Sequence, residues 1–296
     1  MILYKYRADS EFTRKIFIDC KVWLSSPLQL NDPFECSIQK IVAESVNKNV
    51  KKDKENQISG FIMAYTMTPA NGEMYGLPKN KIKDILDKIG QERKFGKKYK
   101  VYKDFIDSTT GNAPSNPMTK YENIKDQINN IGIFSLSERI DSGLMWGHYA
   151  DGARGIAIGF SVDPNTMLSN ENHCLKVMYS NDDNVLNERL ETSLLLGLEN
   201  DSFKFYQKIS WNDPFFKSVI SSKAEDWRYE CEWRYVEETS GLYELPAPIK
   251  EIVFGSKCPD EIRKEYIKLV KEHIGEHVEF YEMKTEGKQF VKVRFQ

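Results

Sequence analysis

Four short segments near the end of the chain decide the fold: WRYV (Trp233–Val236), IKEIVF (Ile249–Phe254), VEFYEM (Val278–Met283) and FVKVRF (Phe290–Phe295). Each is brief and rich in β-branched and aromatic residues, as half-buried strands are. A helix fits between the second and third, over Pro259–Ile274, with proline in the first turn where its missing N–H costs nothing. Strands and helices do not alternate regularly, which argues against a doubly wound parallel sheet. The expected class is α+β: one domain over residues 1–296 with a mixed, mostly antiparallel sheet.

Working outward, further strands are expected at Ile131–Leu136, Gly155–Phe160 and Leu175–Tyr179. A leucine-rich stretch, Val185–Lys208, reads as a helix, and Phe215, Phe216, Val219 and Ile220 mark another buried helix face. At the start, Ile2–Arg7 alternates as a strand does. Asp9 or Ser10 can cap a helix running to about Cys20, and Val22–Ser25 is a short strand stopped by Ser26-Pro27. Leu30-Asn31-Asp32-Pro33-Phe34 is turn chemistry. From 41 to 130 the character changes to dense lysine, which reads as a charged, helical insert or lid within the domain. Between Lys79 and Asp104 stand ten Lys/Arg against four Asp/Glu.

The composition, 40% hydrophobic and 29% charged, is that of a globular protein. A net charge of −2 gives no global field toward nucleic acid or an acidic membrane. No apolar run approaches the roughly 20 residues that span a bilayer. The first residues lack the basic–apolar–small order of a signal peptide, so a cytoplasmic location and no membrane partner are expected. Five scattered cysteines without a CxxC, and four histidines without neighbouring ligands, argue against a disulfide framework or a zinc site. No metal is expected.

Polar and aromatic side chains cluster in four places. On Tyr4-Lys5-Tyr6-Arg7, Lys5 and Arg7 share one face and the tyrosines the other. Leu30-Asn31-Asp32-Pro33-Phe34-Glu35 is a rigid turn presenting carboxylates. The third cluster runs from Phe134-Ser135-Leu136-Ser137-Glu138 through Met145-Trp146-Gly147-His148-Tyr149 to Gly155–Phe160. The last is Trp227-Arg228-Tyr229-Glu230-Cys231-Glu232-Trp233-Arg234. Each also has a plain structural reading. Arg7 can pair with Glu232 or Glu35, Asn31-Asp32-Pro33 can be a turn only, and Trp146, Tyr149, Trp227 and Trp233 can be core or cleft wall. Gly155 and Gly159 fit close strand packing. His148 can be a general base or a structural imidazole.

Together these motifs resemble a bacterial family of uncharacterised proteins with the pattern LYKYR, SSP…NDPFE, SLSE, MWxHYA, GxxxGF and WxYExEWR, spread here from Leu3 to Arg234. More remotely, Arg7, Ser135-Leu136-Ser137 and Glu230-Cys231-Glu232 resemble, in that order, the motifs of arginine–serine–glutamate ADP-ribosyltransferases. That resemblance implies a split sheet and NAD as substrate. Glu232 would be the catalytic, ribose-binding residue and Glu230 would position or deprotonate the acceptor. Arg7, Tyr6, Ser135, Ser137, Asn31, Trp146, His148 and Tyr149 would bind the cofactor. The chemistry explains the types: breaking the nicotinamide–ribose bond develops positive charge that a carboxylate stabilises, and an arginine fork suits the pyrophosphate. The interval of 93 residues from Ser137 to Glu230 is long for such a fold, and Leu136 stands where that family has Thr.

The resemblance further implies a macromolecular acceptor, with the basic stretch favouring nucleic acid over protein, a toxin or anti-phage defence role, and an antitoxin or regulator as partner. Two other functions remain open. A metal-dependent nuclease could use Asp32, Glu35, Glu230 and Glu232 around Mg²⁺. A nucleotide-binding or protein-interaction module could use the same cleft without turnover.

Overall fold

The structure, a computed structural model, describes residues 1–32, 35–36, 43–111, 116–181, 192–199, 202–287 and 289–295. Chain contacts divide it into two compact units, Met1–Lys40 with Asp126–Gln296, and Ile41–Lys125. In chain order the elements are β1 (Ile2–Arg7), α1 (Glu11–Ile18), β2 (Lys21–Leu24), α2 (Ala43–Met67), β3 (Glu73–Met74), β4 (Leu77–Pro78), α3 (Lys79–Gln91), α4 (Phe95–Thr110), α5 (Pro117–Asn130) and β5 (Gly132–Ser137). There follow α6 (Gly143–Tyr149), β6 (Ile156–Ser161), β7 (Cys174–Lys176), β8 (Met178–Tyr179), β9 (Thr192–Glu199), β10 (Ser202–Ile209), α7 (Pro214–Ser221) and β11 (Ser222–Lys223). The last are β12 (Glu232–Glu237), β13 (Gly241–Glu244), β14 (Ile249–Phe254), α8 (Asp260–His273), β15 (Glu279–Glu286) and β16 (Gln289–Arg294).

The first unit is α+β. Among the described residues its main sheet has eight strands in the order β16-β15-β14-β6-β1-β5-β12-β7. Every neighbouring pair is antiparallel except β14 and β15, which the helix α8 connects. That helix is the one expected over Pro259–Ile274. Leu3, Ile158, Phe160, Phe134, Ile252 and Phe254 are buried on the face that α8 covers through Tyr266 and Val270. On the other face Tyr4, Tyr6, Trp146, Ala157 and Val253 form a second apolar cluster. Ser10 caps α1 by accepting from the Thr13 N–H at 3.2 Å.

Strand β1 pairs with β6 along its whole length, Ile2 to Arg7 against Ser161 to Ile156. Against β5 it pairs at one position, Tyr4 opposite Ser137. Beyond that position the two strands are not laddered. Gly155 is required where the chain enters β6, because a Cβ there would lie 2.1 Å from the Arg7 carbonyl oxygen.

The helix expected over Val185–Lys208 is corrected where it is described. Thr192–Glu199 and Ser202–Ile209 form an antiparallel hairpin in continuous register from Ser202 opposite Glu199 to Ile209 opposite Thr192. In the sequence Asn200 and Asp201 stand between these two runs, and both are residue types that favour turns. The run Phe203-Lys204-Phe205 alternates as a strand does, and β-favouring aromatics outweigh the helical count of leucines. Residues 185–191 lie outside the described set.

The second unit is a helical bundle with its own core. Ile58 and Phe61 of α2, Ile82 and Ile89 of α3, and Tyr102, Phe105 and Ile106 of α4 pack together. It ends at 125, five residues short of the insert expected from the sequence. No helix among the described residues is long and apolar enough to cross a membrane.

Candidate functional site

The sequence places a lysine, Lys5, on a central strand of the main sheet, where a charged group must find a partner or a cavity. It finds both. Its ammonium donates to the Ser135 carbonyl at 2.8 Å and lies 4.8 Å from the centre of the Phe134 ring. The free edge of β5 is thus met by three different groups in succession. Ser25 bridges Ile133 through two backbone hydrogen bonds, Lys5 meets Ser135, and the β1 backbone meets Ser137. A cavity of about 170 Å³ opens beside this junction, walled by Tyr4, Lys5 and Tyr6 from β1 and by Ser135 and Ser137 from β5.

The opposite wall is charged. Glu35, Glu230 and Glu232 converge on the Lys223 ammonium, at 2.9, 2.6 and 3.0 Å. Arg234, fully buried, donates from Nε to Glu232 at 3.0 Å and from Nη2 to Glu35. Its Nη1 donates to the Ile220 carbonyl at 2.5 Å. All five side chains are at most 5% exposed. Buried charges of this kind persist only when each is met by an opposite charge and hydrogen bonds. Cys231, in the left-handed region at φ 43°, turns the chain between the short 3-10 helix Glu225–Glu230 and β12, so that Glu230 and Glu232 both reach Lys223.

The field of this cluster sorts its members. Burial pushes the Glu232 carboxyl up, but Arg234, Lys223 and the Ser135 hydroxyl outweigh it and hold Glu232 well below the usual carboxylate range. For Glu35 burial wins over Arg234 and Lys223, and the carboxyl is raised. Lys223 is raised, because Glu232, Glu35 and Glu230 together outweigh its own burial. Lys5, which pairs with no carboxylate among the described residues, moves the other way: burial, with Arg7 adding to it, pulls it down to about 7.

Tyr149 joins the two walls. Its hydroxyl donates to Glu230 Oε1 at 2.5 Å and accepts from Asn31 Nδ2 at 3.3 Å. Ser137 is committed elsewhere: its hydroxyl donates to the Glu230 carbonyl at 2.6 Å and accepts from the Arg139 N–H at 3.1 Å, which ties the end of β5 to the Glu230 turn.

Residues 145–235 match the model of a family described as protein of unknown function (DUF2971). No curated protein and no solved structure matches the chain.

The matched stretch supplies Met145, Tyr149, Lys223, Glu230, Glu232 and Arg234, whereas Lys5, Asn31, Glu35 and Ser135 come from outside it. Of the residues singled out in the sequence, Tyr6, Asn31, Ser135, Ser137, Tyr149, Glu230 and Glu232 wall one cavity. Three do not. Arg7 sits one position past the cavity-facing tyrosine, with its Nε buried and without a hydrogen-bond partner among the described residues. Glu232 and Glu35, the partners considered for Arg7, are held instead by Arg234 and Lys223. Trp146 is fully buried beneath the cavity, edge-on to Tyr6 at 5.0 Å, with its Nε1–H donated to the Ile140 carbonyl at 2.7 Å. His148 is exposed, with ring neighbours Tyr149 and Tyr229.

Sequence reading missed Lys223 and gave Arg234 no role. A signal for the first was present: Phe216, Val219, Ile220 and Lys223 follow helical spacing, so a lysine continues a buried apolar face. For Arg234, the alternation of β12 puts it on the same face as Glu232, whose charge it neutralises.

Proposed function

We propose that the cavity takes the nicotinamide–ribose end of NAD and that the protein transfers ADP-ribose to a macromolecular acceptor. The observation that carries this reading is the adjacency of β1, β5 and β12, which gathers Lys5, Ser135, Glu230 and Glu232 around one cavity beside Tyr4, Tyr6 and Tyr149. The parting of β1 from β5 past Tyr4 and Ser137 supports it too, as the opening of a split sheet. A space of about 170 Å³ suits one ring and part of a sugar and is below the roughly 300–1,000 Å³ of sites that enclose a whole ligand. The remainder of the dinucleotide would lie outside the cavity. Three tyrosine rings also suit a cationic ring, and the nicotinamide of NAD is a pyridinium.

In this reaction the bond between ribose C1 and the ring nitrogen breaks, its electron pair leaves with nicotinamide, and the ribose becomes oxocarbenium-like. Glu232, held ionised by Arg234 and Lys223, stabilises that charge. The acceptor's nucleophile attacks C1 and its proton passes to Glu230, whose carboxylate is oriented by Tyr149. Lys5, rather than Arg7, is the β1 basic residue that walls the cavity, and its remaining N–H groups serve oxygen atoms of the ribose. A nuclease reading is less well supported, since the Lys223 ammonium already occupies the point where the three carboxylates meet. The toxin or defence role, with a neutralising partner, goes with the transferase proposal.

The test is incubation of the protein with labelled NAD, with and without mixed RNA, DNA and protein acceptors. Nicotinamide release or transfer that Glu232→Gln abolishes, while NAD binding persists, is the expected result. Saturable NAD binding without any product would replace the transferase with a binding module, and Mg²⁺-dependent strand cleavage would replace it with a nuclease.

A further inference from the structure

The helical unit carries a second feature, independent of the cavity. Residues 41–125 hold sixteen Lys/Arg and ten Asp/Glu, whereas the rest of the chain holds twenty-six and thirty-four. The near-neutral whole chain conceals a basic unit and an acidic one. Within the basic unit the cations are not spread evenly. Arg93, Lys94, Lys97 and Lys98 fall within six residues at the start of α4, and the first turn of that helix has no acidic residue.

Packing adds two more. The Lys51 ammonium of α2 lies 5.9 Å from the centre of the Phe95 ring and that of Lys54 lies 5.0 Å from Tyr99. The Tyr99 hydroxyl donates to Gln57 at 2.8 Å, and one turn further on Phe61 meets Tyr102. Contacts step along both helices in the same direction, so α2 runs parallel to α4 and the amino-terminal half of α2 lies beside the start of α4. Six cations and two half-buried aromatic rings therefore share one end of the bundle. Among the described residues their one ion pair is Lys51 with Glu55, at 3.9 Å. The α4 N-cap is Lys94, with no side-chain cap. Cations at a helix start oppose its dipole, and an anion there would relieve that opposition.

We propose that this end of the helical unit, built from Lys51, Lys54, Arg93, Lys94, Lys97 and Lys98 with Phe95 and Tyr99 between them, binds single-stranded nucleic acid. Phosphates take the cations, and unpaired bases meet the exposed parts of Phe95 and Tyr99, two rings stacked at 6.5 Å between centres. An anionic membrane is the other polyanion of this size. It would need exposed apolar side chains beside the cations. The exposed ones on α2, Ile62, Met63 and Met67, lie further along the helix, past Lys54 and toward its other end. The inference uses the helical unit alone and does not rest on NAD chemistry, so Glu232→Gln leaves it unchanged.

The test is fluorescence anisotropy of the full chain with labelled 20-nucleotide single-stranded RNA, the same DNA, and a duplex, from 50 to 200 mM salt. Single strands are expected to bind more tightly than duplex, with affinity falling at least about tenfold over that range, as release of counterions from several phosphates requires. Charge reversal at three exposed positions, Arg93→Glu with Lys94→Glu and Lys97→Glu, should weaken binding at least tenfold at 50 mM salt and flatten the salt dependence. Reversal of Lys81, Lys83 and Lys88 on α3 is the control for charge alone and should weaken binding far less. Phe95→Leu keeps apolar volume and should selectively weaken single strands. Circular dichroism checks each fold, and a triple variant that fails to fold is replaced by Lys94→Gln and Lys97→Gln singly. Equal loss from both triple reversals, binding only to phosphatidylserine vesicles, or no binding at 50 mM salt would overturn the proposal.

Discussion

The Lys5 ammonium takes a hydrogen-bonding place that a neighbouring strand would ordinarily fill: it donates to the Ser135 carbonyl at 2.8 Å, on the edge of β5 between the positions met by Ser25 and Ser137. A side chain stands in for a ladder at the point where the sheet opens. The cavity follows from that substitution, because β1 and β5 can part without leaving the Ser135 carbonyl unmet.

Lys5 should make stability depend on pH in a defined window. Its folded pKa is depressed from 10.5 to about 7, so between those values the unfolded chain holds a proton that the folded protein has lost. The penalty of burying the ammonium is complete below pH 7 and fades as pH rises toward 10. Relative to Lys5→Met, the wild type should therefore gain several degrees of Tm between pH 6.5 and 9.5. A constant difference between the two proteins across that range would show that Lys5 keeps an ordinary pKa.

Lys223 should be the most consequential single residue of the acidic wall. Lys223→Met keeps the stem's volume but leaves Glu35, Glu230 and Glu232 facing one another, with Arg234 serving only two of them. Removing one partner of a buried charge network costs roughly 3–5 kcal/mol. The loss should be largest near pH 8 and shrink toward pH 5, where the crowded carboxyls can protonate. Urea midpoints at the two pH values measure this; equal losses at both would argue against carboxylate repulsion as the cause.

What the sequence conveyed and what it hid have physical causes. Strands such as β12 and β14 are legible because aromatic and β-branched residues alternate or run between turn formers, and those patterns are local. The hairpin β9–β10 is not legible because Leu194, Leu195 and Leu196 suit a helix as well as a strand, and short apolar runs carry no period of their own. Most of the cavity's residues stood out as polar groups in apolar company. Which cation would enter it did not. Lys5 and Arg7 share a strand face by alternation, and only the parting of β1 from β5 distinguishes them. Lys223 was hidden for a related reason: its partners come from residues 35, 230 and 232, and no local pattern states that Glu35 lies there.

Tyr149→Phe separates orientation of the Glu230 carboxylate from its presence. The hydroxyl is the link between Glu230 and Asn31, at 2.5 and 3.3 Å, and it borders the cavity, so water can replace it. Stability should fall by only about 1 kcal/mol. Under the proposed reaction, kcat for transfer should drop about tenfold or more with KM for NAD little changed, because the carboxylate that receives the acceptor's proton loses its fixed direction. Nicotinamide release to water, with no macromolecular acceptor, should suffer less. Equal loss in the two assays would place Tyr149 in substrate binding instead.

Two glycines of the third motif should respond oppositely to alanine. At Gly155 an added Cβ would lie 2.1 Å from the Arg7 carbonyl oxygen and 3.0 Å from the Ala8 Cα, both backbone atoms that cannot turn aside. Gly155→Ala must push β6 from β1 where they are most tightly joined, and a loss above about 3 kcal/mol is expected, as for severe overpacking. Gly147 lies within α6, is exposed, and has open space where a Cβ would go. There alanine restricts the unfolded chain and favours the helix, which should stabilise by up to about 1 kcal/mol. The cavity is walled in part by Tyr4, Lys5 and Tyr6, all on β1, so Gly155→Ala should also lose ligand binding at temperatures where it remains folded, whereas Gly147→Ala should retain it. Thermal melts with and without ligand read both effects, and a neutral Gly155→Ala would mean that β1 and β6 can separate at no cost.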